Sequence, residues 1–110
     1  MSNDMPISEL LFDVLTPLGF TVRVSRNYWQ IITTIKHPVM VGREADVQAA
    51  LHQPETIRQS RSDAAVYLFY RAEHVGRWLC AVAKRLNGDG FLITTYITDA
   101  IKEGTQVWLT

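Results

Sequence analysis

Cysteine is nearly absent from this sequence, and its scarcity limits the chemistry available to the chain. Cys80 is the only cysteine among 110 residues, so an internal disulfide cannot form and a reducing compartment is the natural setting. Because Cys80 lies in the apolar run Trp78-Leu79-Cys80-Ala81-Val82, it is either a buried, unreactive thiol or a nucleophile.

Long apolar runs and targeting signals are also lacking. No stretch approaches the roughly 20 apolar residues that a membrane-spanning helix needs. The segment Met1–Pro6 has neither the basic region nor the apolar core of a signal peptide. These absences predict a cytoplasmic protein with no membrane partner.

The known metal and nucleotide motifs are missing as well. His37, His52 and His74 do not have the one-turn spacing of a zinc-binding pair, and one cysteine cannot complete such a site. There is no Walker loop, no glycine fingerprint after a strand and no nucleophile elbow. We therefore predict no metal site and no cofactor.

The composition predicts a folded protein with an uneven charge distribution. Hydrophobic residues make up 47% of the 110 residues, which predicts a single domain over residues 1–110, and the order of the predicted elements makes that domain α+β. The net charge is zero, yet the segment from Thr21 to Arg43 contains no acidic residue, and Arg58 to Arg85 is mostly basic. If both segments lie together in a sheet, one face is locally positive; the alternative is a mixed solvated surface.

Hydrophobic spacing in the first third of the chain predicts a helix and then a hairpin. An apolar stripe at helical spacing indicates a helix in the N-terminal region, residues 1–19; its members are Ile7, Leu10, Leu11, Val14 and Leu15. The β-branched and aromatic segments Phe20–Val24 and Tyr28–Ile35, joined by Ser25-Arg26-Asn27, favour a hairpin.

The remainder predicts a second short helix and an antiparallel sheet. The helix is expected from about Val41 to His52, where Pro54 ends it. Strand-like segments follow at Thr56–Ser60, Ala65–Arg71, Trp78–Leu86 and Phe91–Thr98. Their short connections allow only antiparallel neighbours, so the last three should form a meander, with Trp108 covering one edge of the core.

His37 is the leading candidate for acid-base chemistry, because it lies at a strand end before a proline. Histidine has an unperturbed pKa of about 6.5 and can serve as a base or an acid at neutral pH. Arg43 and Glu44 follow closely enough to converge with it at the start of the second helix. The alternatives are a histidine bonded to a loop carbonyl and an exposed charge pair.

Polar side chains on successive predicted strands form a candidate phosphate-binding platform. In a strand, Thr94 and Tyr96 project to one face while Thr95 projects to the other. Such a platform contacts phosphates and bases, although an ordinary solvent face has the same composition. Its members are Arg58, Ser60, Tyr70, Lys84, Thr94, Thr95 and Tyr96.

The order of these features, from His37-Pro38 through Leu51–Ser60 and Val66–Arg71 to Leu79–Lys84 and Ile93–Tyr96, resembles a nuclease superfamily. It is similar to the phage-associated nucleases grouped with barnase, EndoU, colicin-type and RelE-like ribonucleases. The likeness covers about Lys36 to Trp108, so residues 36–108 would be a nuclease-like helix and antiparallel sheet.

The resemblance implies metal-independent RNA cleavage by a protein of the toxin or phage and mobile-element type. It implies a catalytic group of His37, Arg58, Lys84, Thr95 and Tyr96, in which His37 is the base or acid, Arg58 and Lys84 hold the phosphate, and Thr95 or Tyr96 completes the site. Substrate contacts are expected from Arg43, Ser60, Tyr70 and Arg71. The expected partners are RNA and a protein inhibitor or a second copy of the chain. Two features depart from that pattern, the neutral net charge and the extra N-terminal hairpin. They leave open the alternative that the chain is an inactive relative of these nucleases.

A function of a different class also fits the sequence. The chain would then be a non-catalytic interaction module that binds a partner protein through its sheet face or an edge strand. Trp29, Trp78 and Trp108 would be the anchors, since tryptophan is enriched among interface hot spots. The alternative is that all three belong to the core.

Overall fold

The computed structural model describes residues 9–101 and 103–110 and forms an α+β fold. Its helices are α1 (Arg26–Ile31), continued by a π-helical stretch (Ile32–Lys36), a 3-10 turn (Pro38–Met40) and α2 (Glu44–His52). Within the described ranges, no helix is long and apolar enough to cross a membrane. The strands are β1 (Leu10–Leu15), β2 (Thr21–Ser25), β3 (Thr56–Gln59), β4 (Val66–His74), β5 (Arg77–Leu86), β6 (Asp89–Thr98) and β7 (Thr105–Leu109).

All of these strands belong to one sheet with the order β1-β2-β6-β5-β4-β3-β7. Neighbours are antiparallel except for β2 and β6, which run parallel. The predicted meander of β4, β5 and β6 is confirmed. β7 pairs with β3 at one edge, where Trp108 lies opposite Ile57 and packs against the core.

The predicted N-terminal helix is wrong where the structure describes it. Leu10–Leu15 is a strand that pairs with β2, with Asp13 opposite Arg23. Phe12 is buried in the core while Asp13 is exposed, so the segment follows the two-residue period of a strand. The predicted start of that helix, up to residue 8, lies outside the described residues.

The predicted hairpin over Phe20 to Ile35 is also wrong, because its second half is helical. Ser25 ends β2 and caps α1: its Oγ accepts a hydrogen bond from the Tyr28 backbone N–H at 3.0 Å. Trp29 and Ile32, one helical turn apart, are buried in the core. Burial of this helical face outweighs the strand preference of the β-branched run.

The two faces of the sheet have different coverings. Ile57, Phe69 and Ala81 form a cross-strand row within the main core, which also contains the buried side chains of α2. The neighbouring row on the opposite face consists of Tyr70, Cys80 and Tyr96. We call this second surface the tyrosine face.

The connection between β6 and β7 crosses the tyrosine face. β6 and β7 are separated in the sheet by β5, β4 and β3. On the way, Ile101 packs against a small cluster made by Leu68, Tyr70 and Cys80. Ile101 of the connection therefore covers the centre of the face, while the β6 side of the face stays nearer to solvent.

Candidate functional site

One edge of β6 is completed by helical side chains rather than by a strand. β2 pairs only with Asp89–Phe91 of β6. Beyond that point the Ile93 carbonyl accepts hydrogen bonds from Tyr28 Oη at 2.6 Å and from Lys36 Nζ at 3.3 Å. Lys36 Nζ also donates to Tyr28 Oη at 3.0 Å. These bonds fix the helical segment along the edge of β6.

The residue that follows Lys36 lies against the tyrosine face. The ring centroids of His37 and Tyr96 are 5.6 Å apart, with 44° between the ring planes. The His37 backbone N–H donates to the Ile32 carbonyl at 2.7 Å, and its carbonyl accepts from the Met40 N–H at 3.0 Å. Because Pro38 also restricts this backbone, the half-buried imidazole is held beside the phenol by a rigid turn.

The phenols and the thiol of the tyrosine face stay protonated at neutral pH. Burial raises the pKa of Tyr96 and Tyr70 above its usual value, and the neighbouring Cys80 adds to both shifts. Burial also raises the pKa of the Cys80 thiol to about 12. The negative charge of Glu103 opposes ionisation of all three groups. Tyr96 is therefore a neutral phenol that can donate a hydrogen bond, and the Cys80 thiol is buried and protonated.

Thr94 and Thr95 project to opposite faces of β6. Thr95 is fully buried on the core side, and its Oγ1 donates to the Cys80 carbonyl at 2.8 Å. This placement removes Thr95 from the site for which the sequence proposed it. Thr94 shares the tyrosine face with Tyr96, and its buried Oγ1 has no hydrogen-bond partner in the part of the chain that the structure describes. Thr94 thus carries an unpaired hydroxyl on the same face as Tyr96.

Arg58 lies on the tyrosine face but binds the β6–β7 connection. Its Nε donates to the Glu103 carbonyl at 2.6 Å, and its Nη2 donates to the Gly104 carbonyl at 2.8 Å. β3 is three strands away from β6, which is about 14 Å across the sheet. Arg58 and His37 therefore do not converge on a single phosphate. The nuclease resemblance had implied that they would.

Lys84 and Ser60 lie farther along the same face. Lys84 is four residues beyond Cys80 on β5, about 13 Å along the strand. Its Nζ lies 3.2 Å from Asp63 Oδ2 in a partly exposed ion pair of the kind that contributes little stability. Ser60 follows β3, and its Oγ is 3.1 Å from the hydroxyl of Ser62. Lys84 keeps its side chain available to solvent.

Arg43 and Arg71 are engaged where α2 meets β4, away from the contact between His37 and Tyr96. Arg43 forms an ion pair with Glu73 and another with Asp46, at 2.8 Å. The hydrogen bonds to Glu73 and Asp46 raise the pKa of Arg43, and the Arg43 guanidinium lowers the pKa of Glu73. Arg71 Nη1 donates to the Gln53 carbonyl at 2.7 Å. Neither arginine is brought to the β6 edge.

The side chains of the three tryptophans pack against other residues of the fold rather than projecting into solvent as anchors for a partner. Trp29 is a core residue, and Trp108 packs partly buried against the same core. Trp78 packs against the cluster on the tyrosine face, and its Nε1 donates to Glu55 Oε2 at 3.0 Å. Among the described residues, no group of three histidine, cysteine or acidic side chains is arranged to hold a metal ion.

Tyr28 and Lys36 are members of the site that the sequence did not predict, and Thr94 is a platform residue that was not placed in the catalytic group. The place of Tyr28 and Lys36 in the site could not be recognised because the sequence predicts a hairpin for this segment, whereas the structure has a helix there. The available signal was Ser25, a good helix N-cap, followed by Trp29, Ile32 and Thr33 at helical spacing. Thr94 was recognised as sharing a face with Tyr96, but the resemblance pointed to Thr95 instead.

Comparison with known proteins adds no assignment to this geometry. No model of a known protein family matches the sequence. No curated protein and no solved structure matches it at a significant level.

Proposed function

We propose that the protein is a metal-independent ribonuclease of the toxin or phage and mobile-element type, with its reaction centre at the β6 edge of the tyrosine face. The observation that carries the proposal is the contact between His37 and Tyr96, which places an imidazole beside a phenol that stays protonated. The resemblance of Lys36 to Trp108 to the phage-associated nucleases points to the same class of reaction.

In this mechanism His37 is the base and Tyr96 is the acid. His37 accepts the proton of a ribose 2′-hydroxyl while the 2′-oxygen bonds to the adjacent phosphorus. The bond from phosphorus to the 5′-oxygen breaks, and that oxygen takes the proton of Tyr96. The products are a 2′,3′-cyclic phosphate and a 5′-hydroxyl. The proton then passes from His37 to Tyr96 through solvent, which restores both groups.

The other polar residues bind rather than transfer protons. Thr94 is only partly buried, so rotation of its side chain would turn the unpaired hydroxyl outward, where it donates to a non-bridging oxygen as negative charge develops there. Lys84, which is too distant to share that phosphate, contacts another phosphate of the same strand. Arg58 holds the β6–β7 connection in place and thereby shapes the border of the site.

The test is cleavage of a labelled oligoribonucleotide in the presence of a metal chelator. Wild-type protein is expected to release fragments ending in a cyclic phosphate, and a 2′-deoxy substitution at the cleaved position should block the reaction. His37→Ala should lower the rate by about 10²–10⁴-fold. The matched control is His74→Ala, at the exposed end of β4. No cleavage with or without metal, or full activity of His37→Ala, would overturn the proposal.

A second candidate function rests on the edge strand β7. Val107 and Leu109 are 42% and 61% exposed, and Thr105–Leu109 contains no charged residue or proline to discourage pairing. A non-catalytic module could pair this strand with β7 of a second copy. Sedimentation should then show a concentration-dependent dimer that Leu109→Lys disrupts, and a monomer at every concentration would exclude it.

A further inference from the structure

Phe91 occupies an unusual position on the tyrosine face, between two cationic side chains. Its ring is on the surface, with 40% of the residue exposed. In the register of the sheet it lies opposite Arg23 on β2 and opposite Lys84 on β5. Its neighbours on β6, Gly90 and Leu92, are buried on the core side, so Phe91 projects toward the face that carries Tyr96.

A cavity opens beside this ring at the point where β2 and β6 separate. Its volume is about 290 Å³, and its walls are mainly apolar. Phe91 and Leu92 form one side, and Arg23 and Tyr28 form parts of the others. A cavity of this size with an aromatic wall and a guanidinium at its border suits a planar ring that carries a nearby negative charge.

The cavity and the reaction centre share the same edge of β6. Tyr28 lines the cavity, and its hydroxyl binds both the Ile93 carbonyl and Lys36, the residue before His37. Phe91 precedes Tyr96 by five residues, about 15 Å along the strand. A base in the cavity and a phosphate at His37 would therefore belong to different nucleotides of one strand.

The two cations beside Phe91 are held by weak pairs that a phosphate can replace. Arg23 Nη1 lies 3.3 Å from Asp89 Oδ2, and Lys84 Nζ lies 3.2 Å from Asp63 Oδ2. All four side chains are partly exposed, and surface pairs of this kind contribute little to stability. The two carboxylates compete with phosphate, so binding here should be sensitive to salt.

We infer that Phe91, with Arg23 and Tyr28, forms a base-stacking subsite that selects single-stranded RNA. The inference rests on the proposed function and deepens it by specifying the form of the substrate. Bases of a duplex are stacked and paired, and only an unpaired strand can turn a base onto an aromatic ring while its phosphates reach the flanking cations.

Binding can be measured apart from cleavage by using an oligoribonucleotide whose 2′-hydroxyls are methylated and cannot attack. Fluorescence anisotropy of the labelled strand should show binding that Phe91→Leu weakens by about tenfold, because leucine fills space but offers no aromatic face. Phe91→Trp should retain binding. Val75→Ala, an exposed apolar truncation in the turn between β4 and β5, is the matched control and should bind as wild type.

The outcomes separate this inference from the proposed reaction. Phe91-dependent binding without any RNA cleavage would support the subsite and overturn the ribonuclease proposal. Cleavage with equal binding by wild type and Phe91→Leu would overturn the subsite and leave the reaction standing. Absence of binding to the methylated strand, or equal Phe91 dependence with a fully paired duplex, would also overturn the subsite.

Discussion

The Arg58 guanidinium donates a 2.8 Å hydrogen bond to the carbonyl of Gly104, the residue before β7. A second bond from the same side chain reaches the Glu103 carbonyl. Arg58 thus ties β3 to the connection that crosses the tyrosine face. The residue that the nuclease resemblance assigned to phosphate binding has a structural role in the fold.

Replacing Arg58 with lysine should loosen this connection. Lysine keeps the charge but lacks the planar fork that reaches two carbonyls at once. We expect Arg58→Lys to lower the free energy of unfolding by about 1–3 kcal/mol, measured by urea denaturation. Arg61→Lys, in the exposed turn after β3, is the control and should change stability little. Equal stability of both variants would contradict the role of Arg58.

Gly104 offers a separate test of the same connection. Its φ of 80° is unfavourable for other residues, and a Cβ there would overlap the backbone carbonyl of Gln59. Gly76 has a φ of 76° but open space around it. Gly76→Ala should therefore cost about 1–2 kcal/mol from the backbone alone. Gly104→Ala should cost at least about 1 kcal/mol more, since the overlap adds to it; similar losses in urea denaturation would contradict this packing.

The parts of the fold that sequence predicted are those set by local signals. Asn87-Gly88 and Gly76 mark short turns, and the strands that they join are long and rich in aromatic and β-branched residues. Short connections leave antiparallel pairing as the only choice, which is why the meander was predictable. α2 was also predictable, because Pro54 marks its end.

The errors lie where distant parts of the chain decide the structure. Leu10–Leu15 fits a helical stripe and a strand alternation equally well, and its pairing with β2 settles the matter. The run from Ile31 to Ile35 has strong strand preference, yet it is helical because Trp29 and Ile32 are buried together. The parallel pairing of β2 with β6 joins segments more than sixty residues apart, and no local sequence pattern predicts it.

The candidate site, like the fold, was predictable where local signals decide it and not where distant parts of the chain meet. Alternation along β6 correctly separated Thr94 and Tyr96 from Thr95. The proximity of His37 to Tyr96 was not visible in the sequence, because it depends on the helical segment bound to the Ile93 carbonyl. Strand number and register, rather than residue type, determine which cations lie close enough to share a phosphate.

Removing only the hydroxyl of Tyr96 should separate proton transfer from packing. Tyr96→Phe retains the ring that contacts His37, so substrate affinity and folding should be little changed. If Tyr96 is the acid, kcat should fall by about 10²-fold while KM stays constant. Tyr67→Phe, on the core side of β4, is the matched control. Unchanged kcat for Tyr96→Phe would assign the acid to another group.

The buried thiol and phenols should make the protein sensitive to alkali. The pKa of Cys80 is raised from 9.0 to about 12, and the pKa values of Tyr70 and Tyr96 are raised from 10.0. Because the unfolded chain loses these protons first, their contribution is complete below about pH 8 and declines as pH rises toward the folded values.

Urea denaturation should therefore give a constant free energy of unfolding near pH 7 and a falling one near pH 10, with the exact values set by all three groups. Cys80→Ala removes one of these groups. The free energy of unfolding of this variant should therefore fall less between pH 7 and pH 10 than that of the wild type, even if the variant is less stable at pH 7. A thiol-reactive reagent should label native Cys80 slowly and the unfolded chain quickly, since the side chain is fully buried. Equal slopes for wild type and Cys80→Ala, together with rapid labelling of the native protein, would mean that the thiol is exposed and ionises as it does in an unfolded chain.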